Sequence, residues 1–181
     1  REKIIDDPWL FILLAKLRGM ETRVRAGEYH LEPGLTADEL LEKFTQGNAI
    51  QYKLTIIEGW SFRQMLAAIA ADPIIESTLQ GKSDAEIMAL LGQPGQHPEG
   101  LFFPDTYRFP KGTSDLDFLR RAYQVMQKHL EREWEQRAPG LPLKSGYDAL
   151  ILASIIEKET GAGFERPLIA GVFIERLKRN M

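Results

Sequence analysis

The sequence contains no cysteine, and this absence excludes several kinds of chemistry. Disulfide bonds, metal sites built on thiolates and a cysteine nucleophile are all ruled out. The three histidines, His30, His97 and His129, are far apart in the chain, and their spacing is not that of a zinc site. These residue types therefore predict no metal centre.

Long basic runs and long apolar runs are also missing. The formal net charge is -3 at pH 7, which gives no reason to expect nucleic-acid binding. The apolar stretch at residues 8–17 is too short to cross a bilayer. With 181 residues, of which 44% are hydrophobic and 27% charged, the composition is that of an ordinary globular protein with a real core.

Capping patterns and hydrophobic periodicity predict an α+β fold. Strands are predicted at residues 27–34 and 50–57. Helices are predicted at 7–18, from the cap Thr36 to the stop signal Gly47, from the cap Ser61 to about residue 69, and at 114–135, 147–160 and 167–178. The order strand, glycine turn and capped helix occurs twice, at 29–44 and 54–69, as an approximate internal repeat. Small α/β units would therefore precede a mainly helical portion.

Two carboxylates, Glu157 and Glu159, end the apolar helical run at residues 150–160. Burial raises the pKa of a carboxyl group, as a general acid near neutral pH requires. At 3.6 residues per turn, Glu159 continues the apolar stripe of Leu152 and Ile156, whereas Glu157 lies closer to the polar side. We therefore predict Glu159 as a buried acid and Glu157 as an ion-pair or supporting residue. In the alternative interpretation both are solvated residues at a helix end.

Aromatic residues are concentrated at residues 99–110, where glycine and proline disfavour a helix. An extended segment with Asp105 beside aromatic rings would suit a sugar-binding groove, because sugar faces stack on rings and hydroxyl groups bind carboxylates. The alternative is a strand or turn whose phenylalanine and tyrosine side chains cover the core.

Three segments match, in order and spacing, the motifs of a known family. They are Glu58-Gly59-Trp60, then Glu-Gly-Leu-Phe-Phe-Pro-Asp-Thr-Tyr at 99–107, and Ala-Ser-Ile-Ile-Glu-Lys-Glu-Thr at 153–160 with Glu165-Arg166 and residues 171–177 after it. On these motifs the chain resembles the endolytic murein transglycosylases, or YceG-like proteins, which also carry the older label of aminodeoxychorismate lyases. The resemblance covers essentially the whole chain.

The resemblance implies a lyase that acts on peptidoglycan without a cofactor. Members of the family cleave the β-1,4 bond between N-acetylmuramic acid and N-acetylglucosamine inside a strand and leave a 1,6-anhydromuramic end. The second glutamate of Glu-Lys-Glu, here Glu159, is implied as the single acid and then base. The substrate-binding residues suggested with it are Glu99, Phe102, Phe103, Asp105, Tyr107, Glu157, Glu165 and Glu175. Glu175 departs from the family, which usually has asparagine there, and its charge is expected to alter the electrostatics of the site.

The resemblance also implies a domain plan and a location. Residues 1–75 would form a LysM-like glycan-binding region, and 76–181 the N-terminal part of the catalytic domain. Family members continue past the position of Met181 and carry a membrane anchor before that of Arg1, so we expect a fragment with exposed apolar surface on its last helices. The expected location is the bacterial inner membrane, with the catalytic part in the periplasm or otherwise outside the cytoplasmic membrane. The expected partners are peptidoglycan glycan strands and cell-wall polymerases or transpeptidases.

Two other functions are compatible with parts of the sequence. A non-catalytic peptidoglycan-binding module would explain the repeated small units. A pyridoxal-phosphate lyase, as the older label suggests, requires a lysine Schiff base and a phosphate-binding loop. Lys158 is the single lysine of its motif, and no glycine-rich phosphate loop is visible in the sequence.

Overall fold

A computed structural model describes residues 8–47 and 49–179. Within those residues the chain forms seven helices and two strands. In chain order they are α1 (Pro8–Leu17), α2 (Ala37–Gln46), β1 (Gln51–Thr55), α3 (Phe62–Ala71), α4 (Asp84–Leu90), β2 (Thr106–Pro110), α5 (Asp115–Glu135), α6 (Gly146–Glu159) and α7 (Arg166–Lys178). This arrangement confirms the predicted α+β class. Asp7, the predicted first residue of α1, lies outside the described residues.

Local capping sets the start of most helices. Four side chains accept a hydrogen bond from the backbone N–H three residues on and complete a capping box: Thr36, Ser61, Ser83 and Ser145. Helix α2 ends at Gly47, whose φ of 79° is left-handed and favours glycine. The helix that begins after Ser83 was not predicted, although Glu86 at the third helical position is the same signal that identified α2.

The sheet consists of β1 and β2, paired antiparallel so that Leu54 lies opposite Tyr107. The strand predicted at 50–57 is confirmed, whereas the strand predicted at 27–34 is wrong. Gly27 and Gly34 have φ values of 151° and 92°, which bend the chain at both ends of that segment. The first half of the predicted repeat therefore has a helix but no strand.

The hydrophobic core lies where the sheet packs against α3, α4 and α5. Its buried members are Ile56, Phe62, Met65, Ile69, Ile75, Leu79, Ile87, Met88, Leu101, Phe102, Tyr107, Phe109, Phe118, Leu119 and Ala122. These residues come from both sides of residue 75, where a domain boundary was predicted. That boundary stays a prediction. A second group of rings joins α1 to α2, with Phe44 contacting Phe11 and Tyr29 at centroid distances of 6.0 and 4.7 Å.

A buried carboxylate holds the segment after α3 against the start of α5. Asp115 is only 6% exposed. Its carboxylate accepts hydrogen bonds from the backbone N–H groups of Thr78 and Leu79, at 2.9 and 3.0 Å, and from the Thr78 hydroxyl at 2.5 Å. One side chain therefore ties two distant segments together.

Helices α6 and α7 differ from the rest because they contain no fully buried residue. Large apolar side chains are exposed on both helices and in the turn between them, as expected for the last helices: Ile151, Ile155, Phe164, Leu168, Val172 and Leu177. On α7, Ile169 and Phe173 are half-buried, whereas Val172 and Leu177 are exposed. Among the described elements, α6 packs against α5 and α7.

The buried Tyr107 gives the fold an alkaline pH dependence. Burial, with a smaller effect of the Asp105 charge, raises the pKa of Tyr107 from about 10 to about 12. The unfolded chain therefore loses this proton first as pH rises, so the free energy of unfolding is expected to fall between pH 10 and 12. The free energy of unfolding, measured with urea across this pH range, should fall less for Tyr107→Phe than for the wild type. Tyr147→Phe, which alters a more exposed ring, should keep the wild-type fall; equal curves for all three proteins would contradict the assignment.

Candidate active site

Helix α6 ends at the two candidate glutamates because the next residue leaves helical geometry. Thr160 is the C-cap, with φ of -147° and ψ of 137°, and its N–H still donates to the carbonyl oxygen of Ile156. Glu157 and Glu159 therefore occupy the last turn of α6, and the chain turns there towards α7. This turn is the centre of the candidate site.

Glu159 is exposed, so the prediction that it is buried is wrong. The stripe that it continues is itself only half-covered: Leu152 and Ile156 are half-buried, and Ile155 is exposed. Among the described elements, α6 makes its main contacts with α5 and α7. Helical periodicity shows which side chains share a face of α6, but that face is buried only where another part of the protein packs against it.

Glu157 forms an ion pair with Arg166 at the start of α7, with 2.7 Å between the carboxylate and guanidinium atoms. This confirms its predicted role as an ion-pair residue. Both side chains are largely exposed, so the pair contributes little to stability, and its effect is mainly to fix how α6 meets α7. Among the described residues Glu159 forms no ion pair, so its carboxylate is the one open to a ligand.

The turn after Glu159 is held by Thr160, which is 8% exposed. Its hydroxyl donates to Glu165 at 2.6 Å and accepts from the N–H of Ala162 at 3.0 Å. Glu165, a suggested substrate residue, is thus engaged within the protein. The role of Thr160 was not predicted, although a threonine beside glycine at a helix end is a common turn former.

Replacing Thr160 by valine should destabilise the protein by about 1–3 kcal/mol, because the N–H of Ala162 and the carboxylate of Glu165 lose a buried partner. Chemical unfolding of the two proteins measures this difference. Thr160→Ser keeps the hydroxyl and is the matched control, expected to stay within about 1 kcal/mol of wild type. An unchanged stability of the valine variant would contradict this role of the hydroxyl group.

In the 99–107 motif two of the suggested rings belong to the core. Phe102 is 4% exposed and stacks on Phe62 at 5.1 Å, and Tyr107 is 3% exposed and packs edge-on against Phe118 at 5.3 Å. The Tyr107 hydroxyl donates to the carbonyl oxygen of Phe103 at 2.7 Å. Rings so covered present no face to a sugar in this structure, which favours the core interpretation for these two residues.

The other residues of the motif are more accessible. Glu99 is exposed and accepts the N–H of Phe62 at 2.9 Å, so it helps to cap α3. Phe103 is half-buried and stacks on His129 with 4.1 Å between centroids. Asp105 is exposed, and its carboxylate accepts the N–H of the next residue at 2.6 Å. Glu99, Phe103 and Asp105 therefore retain accessible surface beside the aromatic core.

The 99–107 motif contacts α6 ahead of the 153–160 motif. A Cβ atom placed on Gly100 would lie 3.6 Å from the Cδ2 atom of Leu150, in the second turn of α6. Glu159 is nine residues further on, about 14 Å along the helix axis at about 1.5 Å per residue. Gly100 therefore lies near the first half of α6, whereas Glu157 and Glu159 lie in its last turn, next to the segment that contains Glu165.

Comparison with known proteins identifies the family. The model of the YceG-like family matches residues 1–181. The chain belongs to the YceG-like family.

Curated relatives of this YceG-like chain carry an enzymatic name. It is 28% identical to the endolytic murein transglycosylase of Bacillus subtilis over 198 residues, which cover 100% of this chain and 54% of the relative. It is 26% identical to the endolytic murein transglycosylase of Streptococcus pneumoniae D39, covering 95% of this chain and 36% of the relative. This chain thus spans about half and about a third of their lengths.

A crystal structure of a YceG-like protein from Listeria monocytogenes is also similar. It is 26% identical, with a TM-score of 0.47, and the match covers 99% of this chain and 64% of that one.

Glu175, at the position where asparagine was expected for a YceG-like protein, lies on α7. Its carboxylate pairs with Lys178 at 2.9 Å, which partly offsets the additional negative charge. It also lines a shallow cavity of about 540 Å³ on α7 together with Leu168, Gly171 and Val172. Within the described residues, no helix has the length and apolar character needed to cross a membrane.

Proposed function

We propose that this protein is an endolytic murein transglycosylase whose catalytic residue is Glu159. The observation that carries the proposal is the family match over the whole chain, together with the name of the curated relatives. The position of Glu159 supports it, since this glutamate ends α6 with an accessible carboxylate while Glu157 is paired with Arg166.

The proposed reaction needs one carboxyl group in two states. Protonated Glu159 donates its proton to the glycosidic oxygen as the bond from C1 of N-acetylmuramic acid to O4 of N-acetylglucosamine breaks. The C6 hydroxyl of the same muramic residue then attacks C1, and the ionised Glu159 takes the hydroxyl proton. One bond to C1 is replaced by another, and no water is consumed. Glycosidases instead use a second carboxylate across the bond.

The proposed reaction also requires that water be excluded from the site, and the described residues do not cover Glu159. An acid that donates near neutral pH works best in apolar surroundings, and Glu159 is exposed. The adjacent surface of α6 is apolar, with Ile155 exposed one turn before Glu159. We propose that a bound glycan strand lies over this surface and itself covers the carboxyl group.

The wider setting is part of the same proposal. Residues 1–75 would bind glycan as a LysM-like region, and residues 76–181 would belong to the catalytic domain. The substrate is the glycan strand of peptidoglycan, outside the cytoplasmic membrane, with the parent protein anchored in that membrane. Cell-wall polymerases or transpeptidases are the proposed protein partners, because an enzyme that ends strands acts where strands are made.

The experiment is mass spectrometry of products after polymeric glycan strands are incubated with the full-length protein. Internal fragments with 1,6-anhydromuramic ends are the expected result. Products with reducing ends would instead identify a hydrolase and direct attention to a second carboxylate. Heat-inactivated protein is the control for spontaneous cleavage.

A non-catalytic peptidoglycan-binding role is the second candidate, and the exposure of Glu159 favours it. In that case the protein would sediment with purified peptidoglycan while no product appeared at any incubation time. Cleavage by the wild-type protein would remove this candidate.

A further inference from the structure

A large cavity lies at the other end of α6, between α5, the first turn of α6 and the loop before the 99–107 motif. Its volume is about 800 Å³, within the range of roughly 300–1,000 Å³ of small-molecule sites. The polar and aromatic side chains that line it include Gln96, Gln127, Glu131, Trp134 and Tyr147. The proposed reaction does not use this cavity, because Tyr147 and Glu159 are separated by about 18 Å along the helix axis.

Two aromatic rings line the cavity. Tyr147 is 42% exposed. Trp134 is held in place by Arg137, whose guanidinium lies 4.0 Å from the ring centroid and donates to the Trp134 carbonyl oxygen at 2.7 Å. Gly146, at the start of α6, lies beside Trp134, since a Cβ atom placed there would be 3.5 Å from the Cβ atom of Trp134. Fixed, partly exposed rings are suited to stacking on a flat ligand face.

Polar groups converge on the same cavity from α5. Gln127, Glu131 and Trp134 are spaced by four and three residues, so they share one helical face. In the described part of the chain, the side chains of Gln127 and Glu131 have no hydrogen-bond partner. Both are therefore available to a ligand that offers hydroxyl or amide groups.

The charge of the side chains that line the cavity indicates which class of ligand it would bind. No lysine or arginine is among the residues that line the cavity, which disfavours phosphate and other anions. The amides of Gln96 and Gln127, the carboxylate of Glu131 and two rings match a neutral ligand with hydroxyl and acetamido groups. A saccharide has these groups beside an apolar ring face.

We propose that this cavity binds N-acetylated sugar units of the glycan strand at a distance from the cleaved bond. The proposal rests on the proposed function for the identity of the glycan. A strand that reaches from Tyr147 to Glu159 must contain several sugar units, so the cavity would favour cleavage inside long strands over short ones.

The test is isothermal titration of the full-length Glu159→Gln protein with chitotetraose, the β-1,4-linked tetramer of N-acetylglucosamine. Adding Tyr147→Ala or Gln127→Ala is expected to raise the Kd at least about fivefold, and Tyr147→Phe, which keeps the ring, should change it less than about twofold. Thermal melts confirm that each variant is folded. No binding by the parent protein, or an unchanged Kd in both alanine variants, would overturn the proposal.

A second measurement separates this proposal from the proposed function. With Glu159 intact, Tyr147→Ala should cut the cleavage rate of long strands more than that of short oligosaccharides. If strands are cleaved but neither the Kd nor this length preference changes, the inference about the cavity fails alone. If chitotetraose binding depends on Tyr147 but no strand is cleaved, the proposed reaction fails and the saccharide site stands.

Discussion

Glu159→Gln is expected to reduce the formation of anhydromuramic products by at least roughly a thousandfold. Glutamine has nearly the same shape, but it neither donates a proton to the glycosidic oxygen nor accepts one from the C6 hydroxyl. General acid and general base catalysis each contribute about a hundredfold or more, and here one side chain performs both. Because Glu159 is exposed and unpaired among the described residues, its replacement should leave the melting temperature unchanged. The measurement is the initial rate of product formation by mass spectrometry.

Two matched glutamate variants control this experiment. Glu157→Gln breaks the 2.7 Å ion pair with Arg166 and is expected to reduce the rate by less than about tenfold, since it alters only the position of the helix end. Glu135→Gln changes an exposed residue at the end of α5 and should have no effect. Wild-type rates from the Glu159 variant would falsify the assignment, and a thousandfold loss in Glu157→Gln would transfer it to that residue.

Asp115→Ala is expected to lower the free energy of unfolding by about 2–4 kcal/mol. The carboxylate is buried and accepts the N–H groups of Thr78 and Leu79, so its removal leaves these donors without their partner and creates a small void. It also frees the segment after α3 from the first turn of α5. Urea unfolding followed by circular dichroism measures the change, with the slope against denaturant expected to stay constant.

The adjacent surface aspartate provides the control. Asp117 pairs with Arg120 on the exposed side of α5, and Asp117→Ala should cost no more than about 1 kcal/mol. Asp115→Asn keeps the size and one acceptor oxygen, so its loss should fall between those of the two alanine variants. A loss in Asp115→Ala as small as that in Asp117→Ala would show that water replaces the carboxylate at little cost.

Features that depend on neighbouring residues could be predicted from the sequence. The starts of α2, α3 and α5 follow from Thr36, Ser61 and Ser114, because a capping side chain and the N–H group that it accepts are only three residues apart. The ion-pair role of Glu157 was also predictable, because its side of α6 is the more polar one. Helix α4 carried the same signal and was missed at Ser83.

Features that depend on distant residues were predicted poorly. Strand β1 pairs with a segment more than fifty residues later, and although residues 99–110 were predicted to be extended, their pairing with β1 was not predicted. The strand expected at 27–34 failed for the same reason, since a strand requires a neighbour to satisfy its backbone. Asp115 was not recognised as an anchor, because its partners Thr78 and Leu79 are 37 and 36 positions away.

The sequence by itself determined the family, the α+β class and most helix boundaries, because motifs and caps are short and local, and it supplied the proposal that Glu159 is the acid. Only the tertiary structure decided which of these side chains are accessible. It buried Phe102 and Tyr107 in the core and left Glu159 at an open helix end. The physical reason is that periodicity defines the faces of a helix or strand, whereas burial depends on what packs against each face.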